Sequence, residues 1–291
     1  MDRPRLGFIG PGTVGSALAV ALSGAGYAVT AIAGRSPERA RALADRLPGA
    51  EVVGDLQRTV DSADLVFLTV PDDVIASIAA TLRWRAGSAA VHCSGAAGLD
   101  PLEAAAVQGA DVGSFHPLQT FAAAARAREK LAGSAFAIEA SGAALEAQLR
   151  EMARAIGGEP FTLAGCKGLY HAGAVLASNA LVALLDTAAG LWESLGFSKE
   201  EGLRALLPLV RGTIENLDDI GLPGALTGPI SRGDVGTVKR NLSALAERAP
   251  DAVALYVELA RRTIPIATAQ GTLRPEAAAR LRKLLDTAVE C

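Results

Sequence analysis

Three glycines near the start of the chain have a spacing that could do chemistry. Gly10, Gly12 and Gly15, with Thr13 and Val14 between the last two, separate an apolar run from a second apolar run. At a strand–turn–helix junction, such glycines let the backbone approach a pyrophosphate, and the first N–H groups of the helix bind the phosphates. The pattern predicts that these five residues bind a dinucleotide; the alternative is a glycine-rich turn without a ligand.

The end of the next predicted strand, which begins at Ala28, indicates which dinucleotide binds. An NAD site usually places an acid there, about 20 residues after the glycines, to accept a hydrogen bond from the ribose 2′-OH. Here the chain has Gly34, Arg35 and Ser36. A guanidinium and a hydroxyl suit a 2′-phosphate, so we predict NADP(H) with Arg35 and Ser36 as ligands. Ser36 could also cap a helix that Pro37 begins, which leaves Arg35 free.

Polar residues also follow later strands, where ligands of open α/β sheets bind. Val70, Pro71 and Ser94 are predicted to lie near the cofactor. Asp72 or Asp73 is expected to cap a helix rather than take part in chemistry. His116 precedes a proline and therefore has an extended backbone. It is a candidate catalytic residue, with a purely structural role as the alternative.

A second candidate group lies at the start of a long apolar stretch. We predict one helix from about Leu169 to Leu195. Lys167 and His171 are four residues apart and share a helical face, and Asn179 lies roughly 100° away from it. Polar side chains on an apolar helix face water or a site, so these three are candidate catalytic residues. The alternatives are a solvated lysine and a core histidine.

Composition and charge exclude several classes of protein. The chain has 291 residues, half of them hydrophobic, and a net charge of −3, which argues against nucleic acid as a partner. Cys93, Cys166 and Cys291 form no disulfide or zinc pattern, which favours the cytoplasm. No apolar run was expected to reach the roughly 20 residues needed to span a bilayer. The three histidines lack metal-ligand spacing, so we predict no metal site.

The order of predicted elements indicates two domains, an α/β doubly wound domain over residues 1–163 and an all-α domain over 164–291. Strands are expected at Leu6–Ile9, Ala28–Ile32, Glu51–Val53, Leu65–Val70, Ala89–Cys93, Val112–Phe115, Ala135–Ile138 and Pro160–Leu163. Helices are expected to begin near Ser36, Asp72, Asp100, Ser198, Asp234 and Pro275, with a kink at Pro208. The helical half is expected to form a homodimer.

The sequence resembles a branch of the superfamily that includes ketopantoate reductase, pyrroline-5-carboxylate reductase and 6-phosphogluconate dehydrogenase. In that branch, a Rossmann-like NADP oxidoreductase domain precedes a C-terminal domain of unknown function. The stretches that carry the resemblance are Gly10–Gly15, Val70–Asp72, His92–Gly95, Ser114–Phe121, Tyr170–Asn179 and Leu226–Asp234. The resemblance implies that Lys167 is the proton donor. It places an asparagine one turn later, where this chain has His171.

These observations give two hypotheses about function. The first is an NADPH-dependent reductase of a small carbonyl or imine acid, with a ketopantoate-like 2-oxoacid as the first candidate substrate and a pyrroline carboxylate as the second. Lys167 would hold or protonate the developing alkoxide, with assistance from His171. The second hypothesis is a non-catalytic NADP-binding sensor or assembly protein.

Overall fold

The computed structural model describes residues 3–121, 129–163 and 165–288. The strands are β1 Leu6–Ile9, β2 Val29–Ala33, β3 Glu51–Val52, β4 Leu65–Leu68, β5 Ala89–His92, β6 Asp111–Pro117, β7 Ala135–Ala140 and β8 Glu159–Thr162. The α-helices are α1 Thr13–Gly24, α2 Pro37–Ala44, α3 Leu56–Ser62, α4 Asp72–Thr81, α5 Glu103–Val107, α6 Ala143–Ala155, α7 Lys167–Ala177, α8 Asn179–Gly190, α9 Lys199–Gly224, α10 Val235–Arg248, α11 Val253–Gln270 and α12 Pro275–Thr287. The chain divides into two compact units, Met1–Ser178 and Asn179–Cys291.

The first unit is built on one sheet that contains all eight predicted strands. Its order is β3-β2-β1-β4-β5-β6-β7-β8, and every neighbouring pair is parallel except β6 and β7. Crossover helices cover both faces and bury apolar side chains against them. On one face a row of aromatic rings crosses the sheet, with neighbouring centroids 4.8–5.7 Å apart: Phe8, Phe67, Phe115 and Phe136. The predicted doubly wound α/β class is confirmed.

Several predicted helix starts are confirmed, including the one at Asp72, whereas no α-helix begins at Asp100. Ser36 caps α2 by accepting from the Arg39 N–H at 3.3 Å, and Ser198 forms a capping box with Glu201 before α9. Asp72 and Asp100 do not cap helices in the structure. Asp72 lies within the first turn of α4, where its carboxylate accepts a hydrogen bond from a side chain in the loop that follows β5. Asp100 begins a short 3₁₀ turn instead of an α-helix.

The long helix predicted from Leu169 to Leu195 is two helices. α7 begins earlier, at Lys167, and the break falls at Ser178, with φ −115° and ψ −69°. Serine and asparagine at 178 and 179 favour helix ends over helix interiors, because their side chains compete for backbone hydrogen bonds. The division into units places α7 with the sheet, whereas the sequence-based division placed it with the helical half. Gly196, directly after the predicted end at Leu195, adopts a left-handed conformation that favours glycine.

The second unit is helical. Its core is formed by α10, α11 and α12, with Val238, Leu242, Val257, Ile264 and Leu281 buried. Pro208, where a kink was predicted, has helical backbone angles, and the helical geometry of α9 is lost at Gly221 and Leu222. A glycine with φ +62° breaks the helix there.

One stretch, Lys167–Leu195, is long and apolar enough to cross a membrane by length and composition alone. The sequence-based expectation that no run reaches this length is therefore wrong. The stretch contains the break at Ser178. Few of its residues are buried, which leaves large apolar side chains on its surface, including Leu169, Leu176 and Val182.

Candidate functional site

A cavity of about 580 Å³ opens at the carboxyl ends of β1, β2 and β4. Its lining includes six of the ten residues predicted to bind the cofactor: Gly10, Gly12, Arg35, Ser36, Val70 and Pro71. Thr13, Val14 and Gly15 form the first turn of α1 just behind the glycine turn, and the Val14 side chain packs on the core beneath it. The glycine turn therefore faces an open space of ligand size.

The three glycines differ in what a side chain at each position would meet. A Cβ at Gly10 would lie 2.5 Å from the Thr69 carbonyl oxygen, and one at Gly15 would collide with the Thr69 hydroxyl. Gly10 also has a φ of +104°, which favours glycine. A Cβ at Gly12 would meet no protein atom closer than 4.0 Å. Contacts within the protein thus explain why glycine is needed at positions 10 and 15. At Gly12 there is no such contact, and the empty space beside the Cα atom could hold a phosphate that lies close to the backbone.

The end of β2 excludes an acidic side chain by geometry. A Cβ at Gly34 would collide with the Pro11 ring, so the usual position of the NAD-type acid has no room for a side chain. Arg35 follows and is exposed at the cavity. Arg39, one turn into α2, lines the same cavity and was missed by the sequence reasoning. The spacing of Arg39 could have indicated this position, because it lies on the helix that Ser36 caps, three residues after that cap.

The loop that follows β5 is held by a buried histidine. His92 is fully buried; its Nδ1 accepts from the Ser94 N–H at 3.1 Å, and its Nε2 donates to the Gly98 carbonyl at 2.7 Å. This arrangement fixes a neutral tautomer, and burial lowers the pKa of His92 to about 4. The Ser94 hydroxyl donates to Asp72 at 2.5 Å and accepts from the N–H groups of residues 96 and 97.

Ser94 therefore differs from its predicted role. A hydroxyl has one hydrogen to donate, and in Ser94 that hydrogen is bound to Asp72. The side chain fixes the loop to the start of α4 and has no donor left for a cofactor. This bond also explains why Asp72 is not a helix cap.

Lys167 is not the solvated residue that the alternative interpretation proposed. It is 5% exposed, and its Nζ donates to the Ser94 carbonyl oxygen at 3.2 Å and to the Ser114 hydroxyl. Burial lowers its pKa, and the nearby Glu139 carboxylate opposes that shift. Glu139 lies directly opposite Ser114 in the β6–β7 ladder, and its buried Oε2 has no hydrogen-bond partner among the described residues.

A second pair of contacts joins the same strand to the same helix. His116 Nδ1 lies 2.8 Å from the Tyr170 hydroxyl, and the two rings meet edge-on with centroids 5.6 Å apart. Ser114 and His116 are two apart on β6, and Lys167 and Tyr170 are three apart on α7, so one face of each element carries both contacts. Tyr170 was missed as a site residue, although its spacing after Lys167 on the predicted helix was a usable signal.

The rings of His116 and His171 both lie against Gly95. A Cβ at Gly95 would come within 2.7 Å of His116 Nε2 and 2.9 Å of His171 Cδ2. Lys167, His116 and His171, three of the predicted catalytic residues, are thus brought together at the carboxyl ends of β5 and β6. Burial lowers the pKa of His116 to about 4 and raises that of Tyr170 to about 12. Both groups are therefore uncharged at neutral pH.

The fourth predicted catalytic residue, Asn179, is exposed and begins α8 in the second unit. Its role stays a prediction. For the three histidines, the structure gives separate protein partners to His92 and His116. Within residues 3–121, 129–163 and 165–288, no group of three or more histidine, cysteine or acidic side chains is arranged to hold a metal ion.

Comparison with known domain families matches most of the chain. A model of the Rossmann-like domain matches residues 1–117, and a model of the domain of unknown function DUF2520 matches residues 134–263. The chain joins a Rossmann-like domain to a DUF2520 domain. The resemblance inferred from the sequence motifs is confirmed. The DUF2520 match begins before β7 and includes Glu139, Lys167 and Tyr170, so both domain models contribute residues to the site.

Solved structures similar to this chain cover nearly all of it. A Thermotoga maritima protein is 26% identical with a TM-score of 0.74, over 90% of this chain and 99% of its own. A Bacteroides fragilis protein, provisionally named an NADP oxidoreductase, is 24% identical with a TM-score of 0.70, over 90% and 98%. The 1-pyrroline-5-carboxylate reductase of Streptococcus pyogenes is 17% identical with a TM-score of 0.60, over 99% of both chains. No curated protein matches the chain.

Proposed function

We propose that this protein binds NADP(H) and uses it to reduce a small molecule with a C=O or C=N bond. The observation that carries the proposal is the combination of Gly12, open to the cavity, with Arg35 and Arg39 at its rim. Anions bind where backbone N–H groups at a helix start face an open space, and guanidinium groups recognise a phosphate by paired hydrogen bonds. The name of the Bacteroides fragilis relative, an NADP oxidoreductase, agrees with this cofactor.

The residues present fit the two ends of such a cofactor. Gly10 and Gly12 would bind the pyrophosphate, and Arg35, Ser36 and Arg39 would bind the 2′-phosphate. The Ser36 hydroxyl accepts the Arg39 N–H as a helix cap, and its own hydrogen stays available for a phosphate oxygen. The missing acid after β2 removes the charge that would repel that phosphate.

The edge of the sheet beyond the cavity supplies the groups for chemistry. Bound NADPH supplies a hydride. The buried ammonium of Lys167 would stabilise negative charge on the substrate heteroatom, because an ion in a water-poor site interacts strongly with a developing charge. Two of its three N–H groups bind Ser94 and Ser114, which holds the third in a fixed direction. His171, one turn further along α7, lies beside the loop that follows β5.

The substrate class is part of the proposal. We propose a small carbonyl or imine acid, with a ketopantoate-like 2-oxoacid first and a cyclic imino acid second. The cationic group of Lys167 suits an anionic substrate, and the name of the Streptococcus pyogenes relative contains a cyclic imino acid. Fold similarity does not determine the substrate, so both classes need to be assayed.

The test is a turnover assay with purified protein. NADPH or NADH is mixed with ketopantoate, pyruvate, 1-pyrroline-5-carboxylate or 1-pyrroline-2-carboxylate, and absorbance at the NADPH band is followed. We expect oxidation of NADPH, faster than of NADH, with at least one compound. Tight NADPH binding without turnover by any of them would favour the non-catalytic sensor instead. Absence of NADPH binding would contradict the whole proposal.

We also propose that the protein forms a homodimer through its C-terminal helices. α8 and α9 expose large apolar side chains that a second copy could cover: Val182, Leu184, Leu203, Leu209, Ile214 and Ile220. Sedimentation velocity should give a mass twice that of the chain, and Leu209→Glu should shift it toward the monomer. A cytoplasmic location is also proposed, in agreement with the free thiols of Cys93 and Cys166.

A further inference from the structure

The hydroxyl of Tyr170 has a position that no assigned function uses. It lies 2.8 Å from His116 Nδ1, and its ring meets Phe161 edge-on at 6.0 Å, so the phenol is fixed on two sides. The side chain is half-buried, as are His116 and His171, which flank Gly95 at the same edge. Together these three rings form a polar group that solvent or a small ligand can reach.

Lys167 differs from this group in its accessibility. Only 5% of the residue is exposed, and its ammonium donates to two oxygens inside the protein. A proton donor must reach the substrate atom within about 3 Å and be supplied with a new proton after each turnover. The buried lysine is suited to supply charge, whereas the half-buried Tyr170 is suited to exchange a proton.

We propose that the Tyr170 hydroxyl, whose oxygen accepts a hydrogen bond from the Nδ1–H group of His116, donates the proton that the substrate heteroatom receives in the reduction. This inference rests on the proposed reductase function and names a donor different from Lys167. It assigns Tyr170 as a catalytic residue and His116 as the residue that positions it and returns its proton.

The proton balance is complete within these groups and solvent. Hydride addition to the carbon atom moves the π electrons of the C=O or C=N bond onto the heteroatom. The Tyr170 O–H bond breaks, its electron pair stays on the phenolate oxygen, and the proton bonds to the heteroatom. The Nδ1–H proton of His116 then passes to the phenolate oxygen while Nε2 takes a proton from solvent, so the imidazole stays neutral.

The charges around the pair are consistent with this role. The titratable groups that influence His116 from neighbouring elements are Lys167, His171, Asp72 and His92. Burial raises the pKa of Tyr170 to about 12, so its phenol carries the proton over the neutral range, as a donor must. An alkoxide or deprotonated amine is a stronger base than a phenolate of this pKa, so the transfer is downhill.

The experiment compares Tyr170→Phe with Tyr256→Phe, in the turnover assay described above. Tyr256 is a matched control, because it is also half-buried and its hydroxyl also has one side-chain partner, Asn241, at 3.1 Å, in the second unit. We expect Tyr170→Phe to lower kcat at least about 100-fold, within the usual range for loss of a proton donor. The Kd for NADPH should stay within about threefold, as measured by fluorescence titration. Tyr256→Phe should change neither quantity.

A second measurement needs no turnover. In ¹⁵N-labelled protein without cofactor, Tyr170→Phe should shift the ring nitrogen resonances of His116 and leave those of His92 unchanged. His116→Asn assigns the resonances and places an amide N–H group near the Nδ1 position, so it should retain more kcat than His116→Phe, which removes the donor to the phenol oxygen.

The outcomes separate the two proposals. If the wild type turns over a substrate and Tyr170→Phe keeps kcat within about threefold, Tyr170 is not the donor and the reductase proposal stands. Unchanged His116 resonances in Tyr170→Phe would also overturn the pairing. If the wild type reduces none of the compounds, the reductase proposal and this inference fail together.

Discussion

Acid should destabilise the first unit through His92. In the folded protein this side chain is fully buried, and burial lowers its pKa from 6.5 to about 4. The unfolded chain therefore binds a proton as the pH falls below about 6.5, while the folded protein does not until about pH 4. Because the unfolded state holds more protons in this window, the free energy of unfolding falls as the pH falls. The shift of about 2.5 pKa units corresponds to about 3 kcal/mol.

The assay is urea unfolding between pH 7.5 and pH 4, followed by the fluorescence of Trp84. This residue is buried in the first unit, and Trp192 lies in the second, so a Trp192→Phe background isolates the signal. His92→Asn in the same background removes the titrating group. It should be less stable at pH 7.5, because the bond to Gly98 is lost, yet its stability should depend less steeply on pH, by about one proton between pH 4 and 6.5.

His116 has the same pKa direction and contributes to the wild-type slope as well. The difference in slope between the wild type and His92→Asn isolates the effect of His92, because the contribution of His116 cancels from it. Equal slopes for the two proteins would contradict the prediction, since they would mean that His92 takes up its proton equally readily in the folded and unfolded states.

Four substitutions test the cofactor and substrate sites. Gly12→Ala should raise the Kd for NADPH at least about tenfold and leave the melting temperature unchanged, because the new Cβ would point into the cavity and contact no protein atom closely. Gly15→Ala should lower the melting temperature, because its Cβ would collide with Thr69. Fluorescence titration and thermal denaturation measure the two effects, and normal NADPH binding by Gly12→Ala would show that the glycine turn binds no phosphate. Arg35→Asp should weaken NADPH binding by at least about tenfold, or about 1.4 kcal/mol, and NADH binding less; equal calorimetric affinities of the wild type for the two cofactors would contradict this. Lys167→Met should lower kcat at least about 100-fold with little change in NADPH affinity; full turnover would mean that Lys167 only links Ser94 to Ser114.

The sequence by itself determined the Rossmann-like half of the molecule. Strand positions were predicted to within a few residues, because buried parallel strands are apolar runs bounded by turn residues. The turn at Gly10–Gly15 and the cap at Ser36 were also predicted, since both depend on residues that are close in sequence. Local patterns of this kind can be recognised without the tertiary structure.

Helix interruptions were less well determined. The break at Ser178 follows an apolar stretch whose periodicity continues through it, so the sequence predicted one helix where there are two. Pro208 and Gly221 are both helix-breaking residues within one segment, and only the second has non-helical backbone angles. Propensity ranks such positions, but packing against the rest of the unit decides which one changes conformation.

The role of each site residue was decided only by tertiary contacts. The sequence predicts that Lys167, His116 and Ser94 lie at the carboxyl edge of the sheet. It does not determine which of these groups form hydrogen bonds with which partners. The structure joins Ser94 to Asp72, Lys167 to Ser114 and His116 to Tyr170, across 22 to 54 residues of chain. A side chain has few hydrogen-bonding groups, so its partner determines whether it remains available for chemistry. That partner comes from a distant segment, and only the fold brings the two together.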